Sequence, residues 1–161
     1  DPAMIPPGAQ PFGDDAARRL ATLAGHLRRL GFTGTVRVTA ALAPFCLVTD
    51  ATGALVEAPP SRSTGDCDVL AHPLIDAATP ELLQSVGFAT LLDELDSDPD
   101  LDVELTTEAL APGDGPFPGA GAADAGEWNR LAGMASRLTF ALEARAPDGV
   151  PGPALAGPAS H

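Results

Sequence analysis

From Asp14 onward, apolar residues recur at Leu20, Leu23, Ala24, Leu27 and Leu30. Spacing of three and four predicts an amphipathic helix, with Asp14 as its N-cap and Gly31 where a helix stops. The period then changes to two. In "TVRVTAAL", Val36, Val38, Ala40 and Leu42 alternate with Arg37, Thr39 and Ala41, the pattern of a half-buried strand. Pro44 interrupts it. "FCLVT" and "ALVEA" on either side of "DATG" read as two short strands around a tight turn, and residues 58–73 read as a loop. Thr79-Pro80-Glu81 combines an N-cap, a first-position proline and a first-turn acid. A second helix is expected to start there, with Leu82, Val86, Ala89 and Leu92 on its buried face. Leu101, Val103 and Leu105 alternate with Asp102, Glu104 and Thr106 in another strand. Residues 111–126 are a Gly/Pro/Ala loop. Beyond them, Trp128, Leu131, Ala132 and Ala135 predict a short helix, and Leu138, Phe140 and Leu142 a last strand.

This order predicts an α+β fold: a two-layer sandwich with helices on one face of a small mixed β-sheet, and a hairpin or loop insertion after the first long strand. Three segments follow. Residues 1–13 are Pro- and Gly-rich and at most extended, 14–145 form a single domain, and 146–161 are expected to be a flexible Pro/Gly-rich tail with too little apolar surface to bury. A chain of 161 residues is long enough for one real core, and with aromatics at 4% that core is built mainly of Leu, Val and Ala.

The formal charge of −13, with all nine basic residues Arg, changes the picture of partners. Without a basic stripe, an acidic chain repels phosphate backbones and anionic bilayers, so neither nucleic acid nor a membrane surface is expected. No apolar run reaches the length of a transmembrane helix. The Lys-free, Ala/Gly/Pro-rich usage suggests a GC-rich bacterial genome. Cys46 and Cys67 lack the spacing of a zinc, haem or C-x-x-C redox site. A disulfide closing a loop of roughly twenty residues would contribute about 3 kcal/mol and imply an oxidising, extracytoplasmic setting. Two buried thiols in a reducing compartment are the alternative.

Candidate chemistry is sparse. "ELDSDPDLDVE" carries Asp96, Asp98, Asp100 and Asp102, but an EF-hand loop needs Gly and Glu where Leu101 and Thr107 stand. A solvated turn explains the run, and no metal or other cofactor is expected. Nucleophilic catalysis needs a base beside Ser or Cys. Of His26, His72 and His161, only His72, near Cys67 and Asp68, stands in a suggestive place. Thr49-Asp50-Ala51-Thr52-Gly53 is either a ligand motif or a hairpin tip, and Asp-x-x-Gly between two apolar runs favours the tip.

Taken with their order, several stretches resemble the OmpA-like domain of bacterial cell envelopes. "IPPGAQPF" at 5–12 is similar to the extended segment before that family's first helix, and TDATG matches its T-D-x-x-G. "PELLQSVGFATLL" is similar to its second helix, with Gln84-Ser85 where the family has Arg-Ala. "ASRLTFAL" is similar to its last strand, with Arg137 at an arginine position. The resemblance spans residues 4–145. It implies a βαβαβ module attached to peptidoglycan, in which an Asp and an Arg hold the ammonium and carboxylate of a diamino acid. By that correspondence the ligand residues would be Asp50, Gln84 and Arg137. The chain departs from the family where Gln84 carries no charge and where "TVRVTAAL" ends without an acid. The expectation is therefore a non-catalytic, periplasmic scaffold or anchor that binds an envelope protein or peptidoglycan, with the standard binding weakened or lost. The alternative is a small extracytoplasmic enzyme or ligand-binding protein with a site around Asp50, Asp68 and His72.

Overall fold

The computed structural model describes residues 3–5, 9–74, 79–113, 116–118, 121 and 123–146. The expected tail, apart from Ala146, lies outside them. Among the described residues, seven strands and three α-helices follow in the order β1 (Ala3–Met4), α1 (Asp14–Arg29), β2 (Gly34–Leu42), β3 (Phe45–Thr49), β4 (Leu55–Glu57), β5 (Val69–Ala71), α2 (Val86–Asp96), β6 (Leu101–Ala109), α3 (Ala125–Ala135) and β7 (Arg137–Ala144). The fold is α+β with two small sheets, one of them mixed. The larger runs β1-β7-β2-β6, with β2 parallel to β6 and antiparallel to β7; the smaller runs β4-β3-β5.

The period-two pattern of β2 explains the larger sheet. Val36, Val38 and Ala40 are fully buried and share a cluster with Leu20, Ala24 and Leu27 of α1 and Phe88 and Leu95 of α2. Leu101 of β6 and Leu138 of β7 join it from the neighbouring strands. Both helices therefore pack on one face. On the other face Arg37 bridges the strands, donating to Glu104 and to Glu143, and Thr39 meets Thr106 at 2.8 Å.

The N-terminal segment is part of this body. Ala3 and Met4 pair with Leu138 and Arg137, Ile5 is buried, and Phe12 is completely buried against Phe88. Helix α1 is capped by the Gly13 backbone instead of Asp14, whose carboxylate is turned to Ser85. The helix ends at Gly31, which takes φ 65°, a conformation other residues adopt only with strain. Leu30, expected on the buried stripe, is 80% exposed: it lies in the last turn, past the end of the core.

Three further expectations are corrected. Thr79-Pro80-Glu81 starts only a 3-10 turn, Pro80–Leu83. The α-helix begins six residues later, where the Ser85 hydroxyl accepts from the Phe88 N–H. Leu82 and Val86 are consequently exposed, and Leu83, Phe88 and Leu95 supply the buried side. Residues 58–73 are not a plain loop but contain the 3-10 turn Thr64–Asp66 and strand β5. The insertion is more than a hairpin, because β5 pairs along β3 opposite β4 and α3 packs on the resulting sheet.

Candidate functional site

The sequence-predicted residues are best judged from the smaller sheet outward. Strand β3 is buried on both sides: Phe45 and Leu47 meet Ala132 and Ala135, while Cys46 and Val48 meet Ala58, Ala125 and Trp128. Cys46 and Cys67 form a disulfide that ties the centre of this sheet to the segment entering β5. The Trp128 indole donates to the Pro44 carbonyl at 2.8 Å. The Asn129 amide accepts from the Cys46 N–H and donates to the Cys46 carbonyl. Ser136 accepts from the Ala43 N–H and donates to the Ala132 carbonyl. Every buried side-chain polar atom among the described residues has a partner, as a low-dielectric interior requires. Among the described residues, the buried polar groups around β3 are therefore engaged in holding the fold together.

Asp50 lies at the tip of the β3–β4 hairpin. Its Oδ1 accepts from the Thr52 N–H, the Thr52 hydroxyl and the Ala54 N–H, and Gly53 supplies the required φ of 86°. The Thr52 hydroxyl and these backbone donors hold the Asp50 carboxyl below its ordinary range. Its carboxylate closes the turn, as the hairpin-tip reading requires. Asp68 serves the same hairpin from the other side: its Oδ2 accepts the Thr49 N–H at 2.7 Å, which lowers its pKa. His72 is buried edge-on against Phe45, and its Nδ1 accepts the Leu74 N–H. Burial pushes its pKa down, and no carboxylate pairs with it among the described residues. The acid-to-histidine hydrogen bond that would orient a catalytic base is not among these contacts.

Gln84 sits just before α2 in a single bridge with Phe12. Arg137 opens β7, exposed, opposite Ala41 and Met4. Among the described residues no contact joins Asp50, Gln84 and Arg137: the first belongs to the smaller sheet, the other two to the body around the larger one. No group of three or more His, Cys, Asp or Glu is placed to hold a metal, and no helix is long and apolar enough to cross a membrane, among the described residues.

The structure instead brings opposite charges together at a place sequence reasoning missed. A pocket of about 440 Å³ opens where the start of α1 meets β1 and the approach to α2. Met4, Ile5 and Leu138 form its apolar wall; Gln10, Asp14, Asp15, Arg18, Arg19 and Ser85 supply its polar groups. Ser85 donates to Asp14 Oδ1 at 2.6 Å and fixes that carboxylate, while Arg18 is paired with Asp15. Arg19 makes no ion pair or side-chain hydrogen bond among the described residues. The "DDAARR" run was visible in the sequence, but only the return of Ser85 and Leu138 from distant positions makes it a cavity.

Comparison with protein-family models, curated proteins and solved structures returns no match for this chain.

Proposed function

We propose that this chain is a non-catalytic module of the bacterial cell envelope, working in the periplasm or an equivalent extracytoplasmic space as an anchor or scaffold. On this reading it is a divergent OmpA-like domain. The two crossover helices on one face of a mixed sheet support that kinship, and the disulfide supports the oxidising location.

The observation that carries the reading is the pocket holding a fixed carboxylate, Asp14, and a guanidinium without an ion pair among the described residues, Arg19, against an apolar wall. A ligand bearing both an ammonium and a carboxylate, such as the peptide portion of the cell wall or a partner's chain end, would find a complementary group for each charge. Asp50 has no part in this binding, because its carboxylate is committed to the hairpin turn.

Retention on purified peptidoglycan sacculi tests the proposal with the wild type, Arg19→Ala and Asp50→Ala. The expected result is retention by the wild type and Asp50→Ala and loss in Arg19→Ala. Loss in Asp50→Ala alone would restore the T-D-x-x-G stretch as the ligand motif. Failure of all three to bind would remove the wall as ligand and with it the anchoring role.

A further inference from the structure

Strand β6 forms the end of the larger sheet away from β1, with β2 as its neighbour and no strand beyond it among the described residues. Its register with β2 runs unbroken from Gly34↔Leu101 to Leu42↔Ala109. Just outside the strand, Asp100 accepts the Gly34 N–H and Leu110 donates to the Leu42 carbonyl. In a parallel ladder each residue turns its N–H and C=O to one side, and the side alternates along the chain. Asp102, Glu104, Thr106 and Glu108 therefore bond to β2, while Val103, Leu105 and Thr107 direct their backbone groups outward. Those outward groups have no hydrogen-bond partner among the described residues.

The two faces beside this edge differ. On the helix-bearing side Val103 and Leu105 are half-buried at the margin of the larger core, as are Leu91 and Leu92 of α2. On the other side Asp102, Glu104 and Glu108 are all exposed. Glu104 is shared with Arg37, whereas Asp102 and Glu108 make no ion pair among the described residues. Where β6 begins, a cavity of about 420 Å³ continues the acidic side, lined by Asp93, Asp96, Asp98 and Asp102. Asp98 is taken by Arg28, and Arg145, also in the lining, is turned to the Pro99 carbonyl.

We propose that this edge takes an additional strand from a basic, extended segment of a partner protein, one in which Lys or Arg alternates with apolar residues. The outward N–H and C=O groups of Val103, Leu105 and Thr107 supply the backbone pairing. Period two sends every second side chain of the added strand to each face. Its apolar residues then cover Val103 and Leu105, and its basic residues lie beside Asp102, Glu104 and Glu108. Charge selects the occupant. Strand β6 of a second copy would set carboxylate against carboxylate, which protects the edge from self-pairing, and the same row attracts a cationic strand. The edge shares no residue with the pocket at the start of α1, so the inference is independent of the anchoring proposal.

Amide exchange followed by NMR on the full chain tests it, with a synthetic peptide of alternating Lys and Val as probe and its Glu-for-Lys version as control. In the free protein the Val103, Leu105 and Thr107 amides should exchange without protection. The basic peptide, at up to about 1 mM, should protect all three, and the acidic one should not. Thr107→Pro removes an outward donor and leaves the ladder to β2 complete, because that N–H faces away from β2. It should weaken peptide binding at least about tenfold. Asp102→Asn combined with Glu108→Gln should weaken it by about as much, and both side chains are exposed, so the fold is kept. Circular dichroism verifies folding; if Thr107→Pro fails, amide protection and the charge variant carry the test. Protection of the three amides before any peptide is added would overturn the proposal, since the edge would already be covered. So would no binding of the basic peptide, equal binding of the acidic one, or binding that Thr107→Pro leaves unchanged.

Discussion

The larger sheet with α1 and α2, and the smaller sheet with α3, are held together by different means. The first is an aliphatic core: Leu20, Leu27, Val36, Val38 and Leu95 interlock along period-two strands and period-four helices, and polar groups stay at its margins. The second is too small for that. Strands β4 and β5 have three residues each, and its two apolar clusters hold five buried residues apiece. It compensates with directed bonds: a disulfide, the Trp128 and Asn129 contacts to β3, and Thr64 donating to Ala123 while accepting the Gly121 N–H. Small assemblies lacking core volume are commonly stapled in this way. The lesson is that hydrophobic patterning suffices where strands are long, and specific polar contacts substitute where they are short.

Removing the largest of these contacts should break the comparison most clearly. Trp128→Ala deletes a fully buried indole from a cluster with few other members, at a cost of roughly 3–5 kcal/mol. Hydrogen exchange should show amides of β3 and α3 losing protection while β2 keeps its own. Uniform loss across both sheets would mean that the molecule opens as one cooperative unit. Replacing both cysteines with Ala should cost about 3 kcal/mol by the chain-entropy argument, read as a lower denaturation midpoint. An unchanged midpoint would show the polar contacts alone sufficient to hold β3.

The smallest effect separates the regions by pH. His72 of the smaller-sheet region has its pKa lowered by burial, so below about its ordinary 6.5 the unfolded chain takes up a proton that the folded chain refuses. Stability from this group is present above that value and declines as pH falls, until the folded pKa is reached. Asp50 and Asp68 also have lowered pKa values, but their contributions persist down to the ordinary carboxylate value of 3.8 and are lost only below it, as pH falls through the folded values. Asp98, held low by Arg28, gives the larger-sheet region the same low-pH loss. Between pH 7 and 5.5, amide protection should therefore decline around β3 and β5 more than in β2, and His72→Phe should abolish the difference. An equal decline in both regions would place its origin elsewhere.

Much of the larger-sheet region was legible because its signals are local. The alternation of Val36, Val38 and Ala40 and the helical spacing of Leu20, Ala24 and Leu27 each lie within a dozen residues, and burial selects the same positions. The turn at Asp50 was readable for the same reason, since its hydrogen bonds reach no farther than Ala54. The start of α2 was not: Thr79-Pro80-Glu81 and Ser85 are both competent caps, and Phe12, pairing with Leu83 and Ser85 from over seventy residues away, goes with the later choice. Asn129 and Trp128 gave no sign of their partners, because those partners, Cys46 and Pro44, are more than eighty positions distant.

By itself, then, the sequence determined the α+β class, the long elements, the separation of charge from core and the hairpin role of Asp50, all consequences of periodicity and local hydrogen bonding. Only the tertiary structure decided that residues 58–73 contribute a strand to a second sheet, that Cys46 meets Cys67, and that Asp14, Arg19, Ser85 and Leu138 share a pocket. Those features depend on which distant surfaces come together, and that is settled by packing the whole chain at once.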